Sequence, residues 1–372
     1  MMSRRAAIDF TSSWFDWFVA HPPIDGCYLR GNPNSVLSWT PVPAGGGVGP
    51  ENVIYMHDYD PDATGAQAAI DAAAGIALCW DAEVTTNATL TVANPTHIYG
   101  QGSNALVVGA PSENDRGVSA CIASGNLDPM LDIASDGVTI DDIMLDGDGT
   151  TSTLLRWACK YGRIQGVELK YASVGLEFVN QWDYTTILGC RLMAGLSYPI
   201  QIDLNHGAAY NNAHTSIIGC HISGTHECIN RLAGGSGTAY DFRFWGCDFH
   251  DGHDADYMLD MANLHYSSFN GCNFEMNDTT PPGVGVVYCE ALGLTFHQCL
   301  FGGRDIGAYT VLVGGSYDPI DVHGCTFANH FAEQTIFTGA AFAGVDACTF
   351  YNNEVGYTVM GAGATRGDHA WT

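Results

Sequence analysis

A short frame of apolar and polar positions repeats down the second half of this chain. A large apolar residue is followed by two others, then Cys, one other, and Phe, Leu or Ile. The frame occupies Ile187–Leu192, Ile217–Ile222, Phe244–Phe249, Phe269–Phe274, Phe296–Phe301, Val322–Phe327 and Val345–Phe350. Two earlier copies, Ile140–Leu145 and Ile164–Leu169, carry an aliphatic residue in place of Cys. Successive cysteines (190, 220, 247, 272, 299, 325, 348) are 30, 27, 25, 27, 26 and 23 residues apart. A drifting period in the twenties is the mark of a solenoid that stacks one unit on the next.

Six residues are too few for a helical period, and the frame favours β-branched and aromatic types, so each copy predicts strand. A second apolar stretch follows most copies, as in Val174-Leu176-Phe178 and Val311-Leu312-Val313. Turn formers such as Gly302-Gly303 and Asn352-Asn353 separate them. The Leu/Asn consensus of leucine-rich repeats and the 3.6 period of helical repeats are both missing. The expected fold class is all-β: a single-stranded parallel β-helix, with short helical segments near the N-terminus.

Equivalent positions in stacked coils lie about 4.8 Å apart. The cysteines are therefore expected to form an inward column of small apolar plugs. Thirteen is an odd number for a disulfide framework, and no CxxC pair offers a zinc site. These cysteines read as structural.

Four segments are expected along the chain. Residues 1–50 carry Phe10, Trp14, Trp17 and Phe18 at helical spacing, followed by a linker from Pro41 to Gly49. That segment either docks a partner or covers the open end of the solenoid. Residues 51–89 form an entry segment whose helix is capped by a Thr64/Gln67 box and ended by Gly75. Residues 90–360 form the coils, and residues 361–372 a polar tail.

Two of these stretches resemble a known family. Asp62-Ala-Thr-Gly-Ala-Gln-Ala-Ala-Ile-Asp71 looks like the entry helix of pectate-lyase-like proteins, and Ile-x-Gly-Cys-x-Phe looks like their repeating strand. The entry segment resembles that of viral tailspikes in particular. The resemblance implies a right-handed parallel β-helix and, for tailspikes, a homotrimer that binds or cleaves cell-surface glycans. The fold also serves pectin lyases, polygalacturonases and adhesins, so it does not by itself fix a function.

Charge narrows the partners. Forty acidic residues stand against 13 basic ones, for a net charge of −27, and Lys160 and Lys170 are the only lysines. Nucleic-acid binding through a basic face is excluded. Apolar runs are too short to span a membrane. Such an acid-rich, lysine-poor chain resembles proteins of halophiles, and an extracellular, high-salt setting is expected.

The frame also supplies coordinates. Its first, fourth and sixth positions should point inward, and its second and fifth outward. The fifth position gives a polar column containing Arg191, His221, Asp248 and Asn273. The second gives an apolar strip of Leu188, Ile218 and Trp245, continuing to Asn270, His297 and His323. Trp245 beside polar groups suits a sugar ring or a subunit contact. Arg191, His221, Asn273, His297 and His323 are the accompanying candidates.

For catalysis, which needs paired carboxylates or a base with a neutralising partner, the densest region is Asp248 to Tyr257. Its candidates are Asp248 and Asp251, joined by Glu275 and Asp278 from the next coil. The same region is a calcium candidate, although acid-rich chains place Asp in many turns. The polygalacturonase set is not assembled, and the basic residues that pectate lyases use are scarce. The expected function is a virion-associated tailspike or spike that recognises a host glycan or glycoprotein and meets other virion proteins through its N-terminal segment. Alternatives are a glycan depolymerase on the same scaffold and a purely structural virion component.

Overall fold

The computed structural model describes residues 27–31, 37–41, 53–100, 119–204, 212–232, 237–251, 256–276, 284–303, 309–314, 320–330, 335–338, 342–351, 365–366 and 370–371. The chain divides into two compact units, Met1–Val53 and Ile54–Thr372. In the first, Cys27–Gly31 pairs antiparallel with Leu37–Pro41, with Leu29 opposite Trp39. The helix expected over Phe10 to Phe18 lies outside the described residues.

The second unit is a parallel β-solenoid of about nine turns. Each coil contributes a strand to three ladders. The first ladder stacks the opening of every frame, so Ile164 pairs with Ile187, Ile187 with Ile217, and Ile217 with Phe244. The second stacks the end of the frame, pairing Leu192 with Ile222 and Ile222 with Phe249. The third holds the later apolar stretches, for example Leu176 with Ile200 and Ile200 with Ile229. Two long strands, Met144–Trp157 and Glu168–Phe178, bend round a corner and serve both the second and third ladders.

The frame holds together because its third residue turns the chain. Gly189, Gly219, Gly246 and Gly271 all have φ near +60°, a region open to glycine at little cost. That left-handed residue breaks the alternation of the strand and returns Cys to the inside. The first, fourth and sixth positions of the cysteine-bearing copies are buried wherever they are described. Phe244, Phe269 and Phe296 then stack face to face, with ring planes within 6° and centroids 4.5 and 5.0 Å apart. Phe249, Phe274, Phe301 and Phe327 make a second parallel column at 4.6 to 5.1 Å. The inter-strand spacing suits ring stacking, so one residue choice can repeat coil after coil.

Twelve cysteines, from Cys79 to Cys348, are buried and free of disulfides. Their thiols also have a polar duty. Cys247 Sγ donates to the Ile217 carbonyl of the preceding coil at 3.3 Å, Cys299 to Phe269 at 3.5 Å, and Cys325 to Phe296 at 3.5 Å.

The entry segment needs one correction. The helix spans Ala63–Ala72, but its N-cap is Asp62, whose side chain accepts from the Thr64 and Gly65 amides. Thr64 and Gln67 therefore do not form the capping box. Gln67 instead turns to the coils: its Nε2 donates to the Thr91 carbonyl at 2.9 Å, and its Oε1 accepts from the Thr91 amide at 2.8 Å. The carboxylate of Asp62 is closer to the helix amides than a Thr64 hydroxyl placed inside the first turn.

The coils also extend beyond both expected limits. Ala77–Trp80 already pairs with His97–Gly100. At the other end, Gly344–Val345 pairs with Thr365–Arg366, and Thr349–Phe350 with Ala370–Trp371. The final segment reads as a tail because it lacks the frame, but backbone pairing does not require the frame.

Candidate functional site

The second ladder carries the main polar cluster. Register pairs Glu168 with Arg191, Arg191 with His221, His221 with Asp248, and Asp248 with Asn273. Each is a fifth-position residue, and its fourth- and sixth-position neighbours point in; Glu168 is covered, while Arg191, His221, Asp248 and Asn273 are part-exposed. The expected polar column is therefore assembled as a run of vertical neighbours, mostly of opposite or complementary character.

Asp248 is its centre. His250 Nε2 lies 2.7 Å from Asp248 Oδ2, and His221 Nδ1 lies 3.3 Å from the same oxygen. Asn273 Nδ2 donates to Asp248 Oδ1 at 2.9 Å. The His221 and His250 rings stack at 4.8 Å, and Glu275 Oε2 stands 3.9 Å from His250 Nδ1. Hydrogen bonding from His221, then from His250, holds the Asp248 carboxyl well below the usual carboxylate range. An acid so easily ionised is unsuited to donating a proton. It can fix charge, accept a proton or bind a cation.

Beside the cluster lies a recess of about 430 Å³, lined by Asn273, Glu275, Leu300, Gly302, Gly303, Ala328 and Asn329. Gly302 leaves its floor open, since a Cβ there would meet nothing nearer than the Phe274 carbonyl at 3.7 Å. Asn273 and Glu275 border both recess and cluster, which links the two.

Other expected residues stand elsewhere. Trp245 is 49% exposed and in register with Ile218 and Asn270 on the first ladder. His297 and His323 continue that column. The left-handed Gly246 separates Trp245 from Asp248, so the two project from different ladders. Asp251 is matched with Gly224 and His250 with Glu275, and Asp278 lies outside the described residues.

Two groups escaped the sequence reading. On the third ladder, Arg156 pairs with Glu177, Glu177 with Gln201, and Gln201 with Asn230. Close by are Glu227, hydrogen-bonded by Asn230 Nδ2, and Asp260, 3.4 Å from Arg231 Nε. Burial pushes the Glu227 carboxyl up to about 7. The signal was faint, because outward polar residues of this ladder interrupt no repeated motif. The second group is a corner of aromatic side chains. Tyr161 and Tyr184 stack at 5.2 Å, and Tyr184 stacks on His214 at 4.9 Å. All three have left-handed φ, and the tyrosines are 67% and 53% exposed. Left-handed backbone at tyrosine costs about 1 kcal/mol or more, and so marks a position held by its surroundings.

Comparison with solved structures finds chains of the same fold. A chain titled ORF18 of Geobacillus virus E2 is 13% identical, with a TM-score of 0.54 over 96% of this chain and 72% of its own. The A-module of the Azotobacter vinelandii mannuronan C-5 epimerase AlgE6 is 11% identical, with a TM-score of 0.54 over 86% of this chain and 99% of its own. The gp42 tailspike of Acinetobacter phage vb_AbaP_AS12 is 15% identical, with a TM-score of 0.49 over 90% of this chain and 63% of its own. No protein-family model and no curated protein matches the chain. At this level of identity the likeness shows the fold alone: the chain is a parallel β-helix.

Proposed function

We propose that this protein is a virion-associated spike that recognises a host cell-surface glycan or glycoprotein through the outward face of its second ladder. The observation that carries this reading is the polar cluster of Arg191, His221, Asp248 and Asn273 set against a recess of about 430 Å³. Sugars need many convergent hydrogen-bonding groups and a shallow concavity, and this face offers both. Sharing a fold with a chain of a virus and with a module named for acting on mannuronan supports the same direction. The reading includes a homotrimer whose N-terminal segment meets other virion proteins.

Retention of the purified protein on envelopes of a candidate host tests it. Gly302→Val fills the recess where a Cβ has room, so retention should fall at least tenfold with the melting temperature unchanged. Trp245→Ala should weaken retention with assembly intact if its ring packs on sugar, and should release monomers if it lies in a subunit contact. Full retention by Gly302→Val, with a side chain in the recess, refutes this face as the binding surface.

A depolymerase is the second reading, favoured by Glu227, whose carboxyl stays protonated close to neutrality and can serve as a general acid. Mass spectrometry of saccharides released from the envelopes decides it. A gain of water reports hydrolysis, an unsaturated end reports elimination, and no release reports an adhesin.

A further inference from the structure

We infer that His221, Asp248 and His250 form a binding site for a divalent transition-metal ion, with zinc as its natural probe. This is independent of glycan recognition and differs from the calcium site considered for the same stretch. One ligand atom from each of His221, Asp248 and His250 lies within 4.8 Å of the other two, and His221 Nδ1 and His250 Nε2 both face Asp248 Oδ2. Ligands about 2.0–2.2 Å from a tetrahedral zinc ion are separated by about 3.3 Å. The Asp248 to His221 separation is already 3.3 Å, and the 2.7 Å contact with His250 must open by about 0.6 Å.

The donor set selects the metal. Two imidazole nitrogens and one carboxylate suit zinc and its first-row neighbours, whereas calcium takes oxygen ligands. Three protein ligands on an outward face leave a fourth position for water, the arrangement of an open site rather than a closed structural one.

The surroundings are those a metal site needs. Glu275 Oε2 faces His250 Nδ1, the ring nitrogen not used for binding, at 3.9 Å. Asn273 holds the non-ligating oxygen of Asp248 at 2.9 Å. Such outer groups fix the orientation and basicity of the ligands. The ligands come from rigid ladder positions: His221 pairs with Asp248 across coils, and His250 stands two residues beyond Asp248 on the same strand. Two residues along a strand return to the same face, so both side chains turn outward together.

The full chain should be dialysed against zinc chloride and its metal content measured. One zinc per chain is expected, with a rise in melting temperature that grows with zinc concentration. His221→Ala and His250→Ala should each weaken binding at least a hundredfold, and Glu275→Gln about tenfold. Excess calcium should leave the zinc in place. Cobalt gives a readout on the unaltered chain, where ligand-field bands of nitrogen and oxygen ligation are expected. A thiolate-to-cobalt charge-transfer band would put the ion on the cysteines and overturn the assignment. Absence of stoichiometric zinc in the unaltered chain, displacement by calcium, or equal binding by folded His221→Ala and His250→Ala would overturn it as well.

Discussion

At the scale of single residues, the cysteine column shows why one side chain recurs so faithfully. The position follows a left-handed turn, points inward, and lies beside a first-ladder strand carbonyl of the preceding coil. A thiol is small, apolar enough for the core, and able to donate weakly to that carbonyl. Hydrogen bonds to neighbouring thiols and burial push Cys220 and Cys299 up, and burial alone pushes up Cys121 and Cys289, so these sulfurs stay protonated. Glu227 is the opposite case, a carboxyl placed where its charge is disfavoured. Its folded value near 7 exceeds the ordinary 4.5, so the native state keeps a proton that the unfolded chain has released. Its contribution is therefore full below pH 4.5 and lost as pH rises through 7. Glu227→Gln should flatten the fall in stability across that window, by up to about 2 kcal/mol after allowance for partial exposure. Denaturant melts at pH 5 and pH 7.5 measure it, and identical profiles for both proteins would rule out the shift.

At the scale of elements, a solenoid must protect its open edge, because an unpaired strand invites another chain. The helix Ala63–Ala72 meets this need, burying Gly65, Ala66, Ala69 and Ile70 against the coils. Gln67 then imitates a strand by giving Thr91 both a donor and an acceptor. Gln67→Ala should cost about 1–3 kcal/mol, as two partly buried backbone groups lose their partners. Gln67→Glu should be as harmful, since a carboxylate cannot donate to the Thr91 carbonyl. Chemical denaturation measures both, and a loss below about 0.5 kcal/mol for Gln67→Ala would show that water replaces the side chain without penalty.

At the scale of the whole molecule, charge dominates outside the core. A net charge of −27 on 372 residues repels itself, and salt screens that repulsion over about 10 Å at 0.1 M and about 3 Å at 1 M. Melting temperature should therefore rise by several degrees between 0.05 M and 1 M sodium chloride (about 1 kcal/mol for a few degrees in a chain of this size). A flat or falling profile would mean that the acidic groups are already compensated by pairing. Exposed pairs such as Arg243 with Asp241 are too few to do this, because 13 basic residues face 40 acidic ones.

Much of the architecture was legible because the inward positions must repeat. The frame Ile217–Ile222 needs an aliphatic, a turn, a small plug and a second aliphatic, and any departure would leave a void or a buried polar group. The ladders and the column of Arg191, His221, Asp248 and Asn273 follow from that repetition alone. Outward positions carry no such constraint, so Glu227 and Asp260 left no periodic trace, whereas Tyr161, Tyr184 and His214 each stand three residues before a frame, a regularity outside the frame itself. His250 joined Asp248 through side-chain geometry, a matter of where two imidazoles and one carboxylate point. Repetition in the sequence determined the coil and its core, whereas the tertiary structure decided which surface groups converge, because convergence depends on distances between coils that no single repeat encodes.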